Sequence, residues 1–120
     1  RPGEKELSLL WDASTSPHHR VATTALLVLI KNGHAKASDQ LSLLTDSPME
    51  LTRAAAAWAM GMTGSPRWLE TLQKMARSDV GAARRMALKA SVQLRRAIAM
   101  APPPVIVNAK VEEEEEQEII

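Results

Sequence analysis

The chain has no cysteine, no tyrosine and no phenylalanine, and its only aromatic side chains are three tryptophans. Without cysteine there is no disulfide framework, no thiolate nucleophile and no cysteine-ligated metal. The same absence leaves the redox compartment open. Without Phe and Tyr, a core has to be assembled from Leu, Ala, Val, Met and Ile, which suits helices better than sheets. No apolar run approaches the ~20 residues that span a bilayer, so no membrane insertion is expected. No secretory leader pattern is visible. The sequence opens on Arg1 rather than methionine and reads as a piece of a longer chain or of a larger assembly. The cytoplasm is the expected location.

What is present is unevenly distributed. At 120 residues the chain is one domain at most, with a modest core. Its net charge of +1 hides two blocks. Residues 67–96 carry eight basic side chains against Glu70 and Asp79, a net +6, whereas residues 97–120 carry Lys110 against six glutamates, a net −5. A basic block followed by an acidic tail is the main electrostatic feature.

The sequence also repeats itself at an offset of 31 residues. Ser16-Pro17 falls on Ser47-Pro48, and Ser78-Asp79 falls on both. Leu10, Leu41 and Leu72 coincide, as do Ala25, Ala56 and Ala87, while Gly33 falls on Gly64 and Arg53 on Arg84. Each unit reads as two helices. The first opens at Ser-Pro or Ser-Asp, with serine or aspartate as cap and proline in the first turn, and stops near Gly33 or Gly64. The second is shorter, capped by Ser38 or Asp39 in one unit and by Ser65 before Pro66 in the next. The middle first helix, with Ala54, Ala55, Ala56, Ala57, Trp58, Ala59 and Met60, is apolar nearly all round. Such a helix is a buried one, and small residues let neighbours crowd it on several sides. Glu4 to Ala13 matches a second helix without its own first helix. The third unit lacks the glycine turn and runs on as one helix to about Met100. The boundaries are accordingly a helical repeat domain over 1–101, with units at about 5–15 (partial), 16–46, 47–77 and 78–100, and a proline-rich linker and acidic tail over 102–120.

This pattern resembles the HEAT-like repeat family, particularly its short bacterial form. The resemblance is carried by Leu51-Thr-Arg53-Ala-Ala-Ala-Ala-Trp-Ala-Met-Gly61, by Gly64-Ser-Pro66, by Leu69, Leu72 and Met75, and by Asp79 before the next unit. It covers roughly residues 5–96. The first unit departs from it, with Ala22 where the arginine would stand. The resemblance implies an all-α fold, a short right-handed α-solenoid of helix pairs with an extended C-terminal tail. It also implies a non-catalytic protein–protein interaction scaffold or adaptor. Proteins similar to the family include bilin lyase-type enzymes and nucleic-acid-binding helical repeats, among them DNA glycosylases, and these are the alternatives.

Little in the chain points to catalysis. His18, His19 and His34 are the only histidines; adjacent histidines on a helix diverge by about 100°, and no carboxylate stands at ligand spacing to them. No metal and no cofactor are expected. Asp39, Asp46, Glu50 and Asp79 fall at helix starts, where capping and the helix dipole account for them. Gly61-Met-Thr-Gly64 reads as a helix terminus, since it lacks the Gly-Lys-Ser/Thr ending of a phosphate loop.

The basic block is the candidate binding site. On one helix Arg84 and Arg95 project within about 20° of each other, and Arg85, Lys89 and Arg96 cluster about 100–140° around. Opposite them Val80, Ala83, Ala87, Ala90, Leu94 and Ile98 form the expected buried stripe. Three readings compete: a solvated face, a face for an acidic protein or for the chain's own tail, and a nucleic-acid site. Nucleic acid is the lesser one, because arginine and lysine suffice for phosphate contacts but no aromatic stacking platform accompanies them. The tail carries Val105, Val107, Ala109 and Val111 in alternation, then Glu112, Glu113, Glu114, Glu115, Glu116 and Glu118. It is expected to serve either as a linker or as a segment that docks on the basic face of its own or a neighbouring molecule.

Overall fold

A computed structural model describes residues 3–102. Within them lie six α-helices: α1 (Glu4–Ser14), α2 (His19–Lys31), α3 (Ala35–Leu43), α4 (Glu50–Met62), α5 (Leu69–Ser78) and α6 (Gly81–Met100). Short 3-10 turns at Leu44–Asp46 and Pro66–Trp68 extend α3 and lead into α5. No strand occurs among the described residues. The helices α2, α4 and α6 form a row in which each packs on the next. Helix α1 packs on α2 and α5 on α6, while the turn after α3 packs on α4. The described residues begin with a single helix, α1, and end with a single long one, α6.

The central helix shows why it is made of alanine. Ala54, Ala56, Ala57, Ala59 and Met60 are buried on more than one side of α4. They adjoin a continuous core that takes in Leu26 and Leu29 of α2, Leu41 of α3, Leu72 and Met75 of α5, and Ala87, Ala90 and Leu94 of α6. Gly61 belongs to the same contact. It is buried inside α4, and a Cβ placed on it would stand 2.7 Å from the Cβ of Ala90 and 3.0 Å from its Cα. Glycine is there because α6 comes too close for a methyl group. The chain stops come later, at Gly33 and Gly64, which adopt φ of 85° and 72°. At the first of them, His34 N–H donates to Leu29 O (3.1 Å) and Gly33 N–H to Ile30 O (3.0 Å), the paired bonds of a Schellman ending.

Several helix starts differ from expectation. Ser16 and Ser47 hydroxyls accept from the N–H of His18 (3.1 Å) and Met49 (3.2 Å). These bonds close a turn before the helix, so Pro17 and Pro48 lie outside it and the extended N-cap residues are His18 and Met49. Ser38 and Asp39 are not caps. The Gly33 turn feeds directly into α3 through His34, so Ser38 is already a buried helical residue. Ser65 does act as expected, accepting from Arg67 N–H with Pro66 in the first position of its turn. Val80 is not in the buried stripe. It is the extended N-cap of α6 and is 61% exposed, since helical periodicity does not reach outside the helix. The rest of that stripe holds: Ala83, Ala87, Ala90 and Leu94 are buried and Ile98 is half-buried.

Candidate protein-interaction face

Helix α6 is the last helix among the described residues, and along much of its length one side is exposed among them. Arg84, Arg85, Lys89, Arg95 and Arg96 are all exposed on it. Between them lie Leu88 and Val92, 48% and 45% exposed, and the exposed Ala99. With Arg84 taken as zero and 100° per residue, Leu88, Ala99 and Val92 fall at about 40–80°. Arg84 and Arg95 flank this strip on one side, and Arg85, Lys89 and Arg96 on the other. The face is therefore an aliphatic strip between two basic rails. Arg84 Nε also donates to the carbonyl oxygen of Ala76 at the end of α5 (3.1 Å), which steadies one rail.

The 31-residue register explains the strip. Leu88 stands where Leu26 and Ala57 stand in the preceding units, and both of those are buried. Val92 stands at the position of Gly61, which α6 covers. Arg84 stands at the position of Arg53. The guanidinium of Arg53 grips Asp79 across the unit boundary, Nε to Oδ2 and Nη2 to Oδ1, both 3.0 Å, while Nη1 donates to Ser47 O at 2.9 Å. Asp79 is thus a joint between units rather than only a helix-start residue. The hydrogen bond from Arg53 holds its carboxyl below the usual carboxylate range; partial burial opposes this, and the Val80 N–H adds to it. Arg53 is raised in turn, first by that hydrogen bond. Arg84, Leu88 and Val92 of α6 occupy the same three register positions.

A second concave feature lies along the row of first helices. A groove of about 500 Å³ is lined by Leu51, Ala54, Ala55 and Trp58 of α4, by Thr23 and Thr24 of α2 and by Met86 of α6, with His19 and Arg20 at its edge. Among the described residues no carboxylate lines it. Trp58 is half-buried there, whereas Trp68 is buried in the core and carries the Arg67 guanidinium 4.6 Å from its ring centre. Of the histidines, His19 edges the groove, and His34 meets the Trp11 ring edge-on at 6.3 Å between centroids. Among the described residues no three His, Asp or Glu side chains converge as metal ligands, and no helix is long and apolar enough to cross a membrane.

Paired helices stacked in a row, with an aspartate–arginine joint between units, define an α-solenoid. The chain belongs to the HEAT repeats: the family model matches residues 6–93. No curated protein and no solved structure matches the chain significantly. Of the residues named from sequence, the five basic ones share one exposed face, while Glu112–Glu116 and Glu118 lie outside the described residues. Sequence reasoning missed Leu88, Val92 and the Arg53–Asp79 joint. The signal was in the repeat register, where Leu88 falls under core residues and Arg84 under Arg53.

Proposed function

We propose that the chain is a non-catalytic protein-interaction scaffold or adaptor module whose docking surface is the outer face of α6. The observation that carries this is the aliphatic strip of Leu88, Val92 and Ala99 lying between two basic rails. HEAT repeats are generally interaction scaffolds, and a face of this composition fits a protein element with aliphatic side chains flanked by carboxylates. Apolar burial at the strip supplies affinity, and the rails supply register and salt-dependent steering. A nucleic-acid role is the poorer fit: a phosphate backbone gains nothing from Leu88 and Val92, and the face has no ring on which a base could stack. An enzymatic role of the bilin-lyase or glycosylase kind would need an acidic group in a pocket, and among the described residues the groove at Trp58 has none in its lining.

Affinity capture with the full chain and with a Leu88→Asp, Val92→Asp variant tests the reading. Proteins retained by the parent and lost with the variant, in a salt-sensitive manner, support it. Equal retention by both moves the docking surface elsewhere, and a DNA mobility shift at low salt that survives the variant favours nucleic acid.

A further inference from the structure

The groove over α4 plays no part in the docking face of α6, and its shape follows from the repeat register. On α4, Leu51, Ala54, Ala55 and Trp58 line it and lie within about 100° of one another. Met60, opposite Leu51 on the same helix, is fully buried, so the groove opens away from the core. At the 31-residue offset Ala54 and Ala55 fall on Thr23 and Thr24 of α2 and on Arg85 and Met86 of α6. The middle helix therefore carries the smallest side chains of the three, and those of its neighbours stand up on either side of an alanine floor. From Leu51 to Trp58 is about 10 Å along the helix, and the half-buried indole of Trp58 is the last lining residue in that direction.

At the start of α2 the groove adjoins a smaller hollow of about 320 Å³, lined by His18, His19, Arg20 and Leu51. The two share His19, Arg20 and Leu51. One guanidinium and two imidazoles can donate N–H there, and among the described residues no acid lines either hollow. Arg20 is exposed and has no ion pair among the described residues. Glu50, at the start of α4, is turned toward α6 instead: a Cβ placed on Gly81 would stand against its carboxylate. On the α6 wall the exposed Lys89 projects within about 20° of Ala82. An apolar trough with cations at its end and side is complementary to an anion on an apolar body. Its volume of about 500 Å³ lies within the range of small-molecule sites, about 300–1,000 Å³. A trough that meets an indole after two helical turns is short for a peptide helix or strand.

We propose that this groove binds a small amphipathic carboxylate, of the class of medium-chain alkyl or aryl-alkyl acids. The carboxylate accepts from Arg20 and from the His18 and His19 imidazoles. The apolar body lies on Ala54 and Ala55 with its far end against Trp58. Burial of that body supplies the affinity, and the guanidinium–carboxylate contact fixes which end enters the hollow. The site goes beyond the docking face of α6 and uses neither Leu88 nor Val92.

The chain has three tryptophans, so three indole N–H resonances report on the site, with Trp58 assigned through Trp58→Phe. Sodium octanoate is titrated into the full, isotope-enriched chain. The expected result is a saturable shift of the Trp58 indole and of the amides of residues 19–24, while the Trp11 and Trp68 indoles stay in place. Octanamide, of the same length but uncharged, should bind about tenfold more weakly. Arg20→Gln should bring octanoate down to the affinity of octanamide and leave octanamide unchanged, an outcome a merely structural role for Arg20 would not give. Ala55→Leu, which fills the floor from its open side, should weaken both. The Leu88→Asp, Val92→Asp variant should bind octanoate as the parent does, which separates this site from the α6 face; loss of binding there would overturn its placement. Equal binding of octanoate and octanamide by the parent would remove the carboxylate subsite and with it the proposal. No shift at Trp58, or equal shifts at all three indoles, would show that the groove is not the site. Tighter binding of a short peptide with a free C-terminal leucine than of octanoate would replace the small acid by a protein terminus and overturn the assignment.

Discussion

Gly61 tests the stacking most directly, because two effects of replacing it by alanine pull in opposite directions. Removing glycine from a helix interior favours folding by about 1 kcal/mol. The new methyl would stand 2.7 Å from the Ala90 Cβ and 3.0 Å from its Cα, whereas carbon contacts are comfortable at about 3.5–4.0 Å. Neither atom is the end of a flexible side chain, and both move only if α6 moves. Overpacking costs about 1–3 kcal/mol, and an overlap of this depth against a helix backbone belongs at the upper end. The net effect of Gly61→Ala is a loss of about 2 kcal/mol. For a domain of this size each kcal/mol shifts Tm by about 4–8 °C, so Tm should fall by roughly 10 °C. Far-UV circular dichroism in thermal and urea scans measures it. Adding Ala90→Gly makes room for the methyl, and the double variant should recover most of the steric loss, leaving a coupling energy of about 2 kcal/mol. A Gly61→Ala protein that melts above the parent would refute the close α4–α6 contact.

Gly33→Ala should also destabilise, by about 1–2 kcal/mol, but for a backbone reason: φ is 85° and nothing lies within 4 Å. Gly33→Asn should cost less, and equal losses would argue against a left-handed stop. Ala56→Glu puts a charge at a site with no solvent exposure and should cost about 3–5 kcal/mol; a urea midpoint close to the parent's would contradict the buried position. For Asp79→Asn the sign comes from its lowered pKa. The parent's advantage over the variant is present above the unfolded value of about 3.9 and is lost as pH falls through the folded value. Urea midpoints at pH 7 and at pH 3 check this, and a difference that does not shrink in acid would remove Arg53–Asp79 as an ionic joint.

The helical stack was legible because it is periodic twice over, at the helical turn and at 31 residues. Ala56, Ala59, Leu72 and Met75 were placed in the core by that pattern and are buried there. The helix starts were less legible. Ser16 and Ser47 look like caps, yet their hydroxyls close turns just ahead of the helix, and a sequence does not distinguish an oxygen that accepts from the helix from one that accepts just outside it. Asp79 shows the same ambiguity: an aspartate at a helix start satisfies a capping rule whether or not an arginine 26 residues away has reached it. The α6 face was half legible. Its cations stood out as charge, while Leu88 and Val92 looked like ordinary helix residues because exposure depends on which element is stacked next, not on periodicity within the helix.

The valine at position 92 bears on how closely a further helix can approach α6. Stacked repeats have ends, and an end that repeats the geometry of an internal joint invites head-to-tail addition of further copies, a contact that grows into a filament unless it closes. Between α4 and α6 the joint works because Gly61 yields its side-chain volume to Ala90. At the equivalent place on α6 that volume is filled by a branched side chain. A helix packing on α6 at that place would meet the Val92 side chain and would sit farther out than α6 does on α4; in α2 the same register position is the branched Ile30, and α4 packs on α2 beside it.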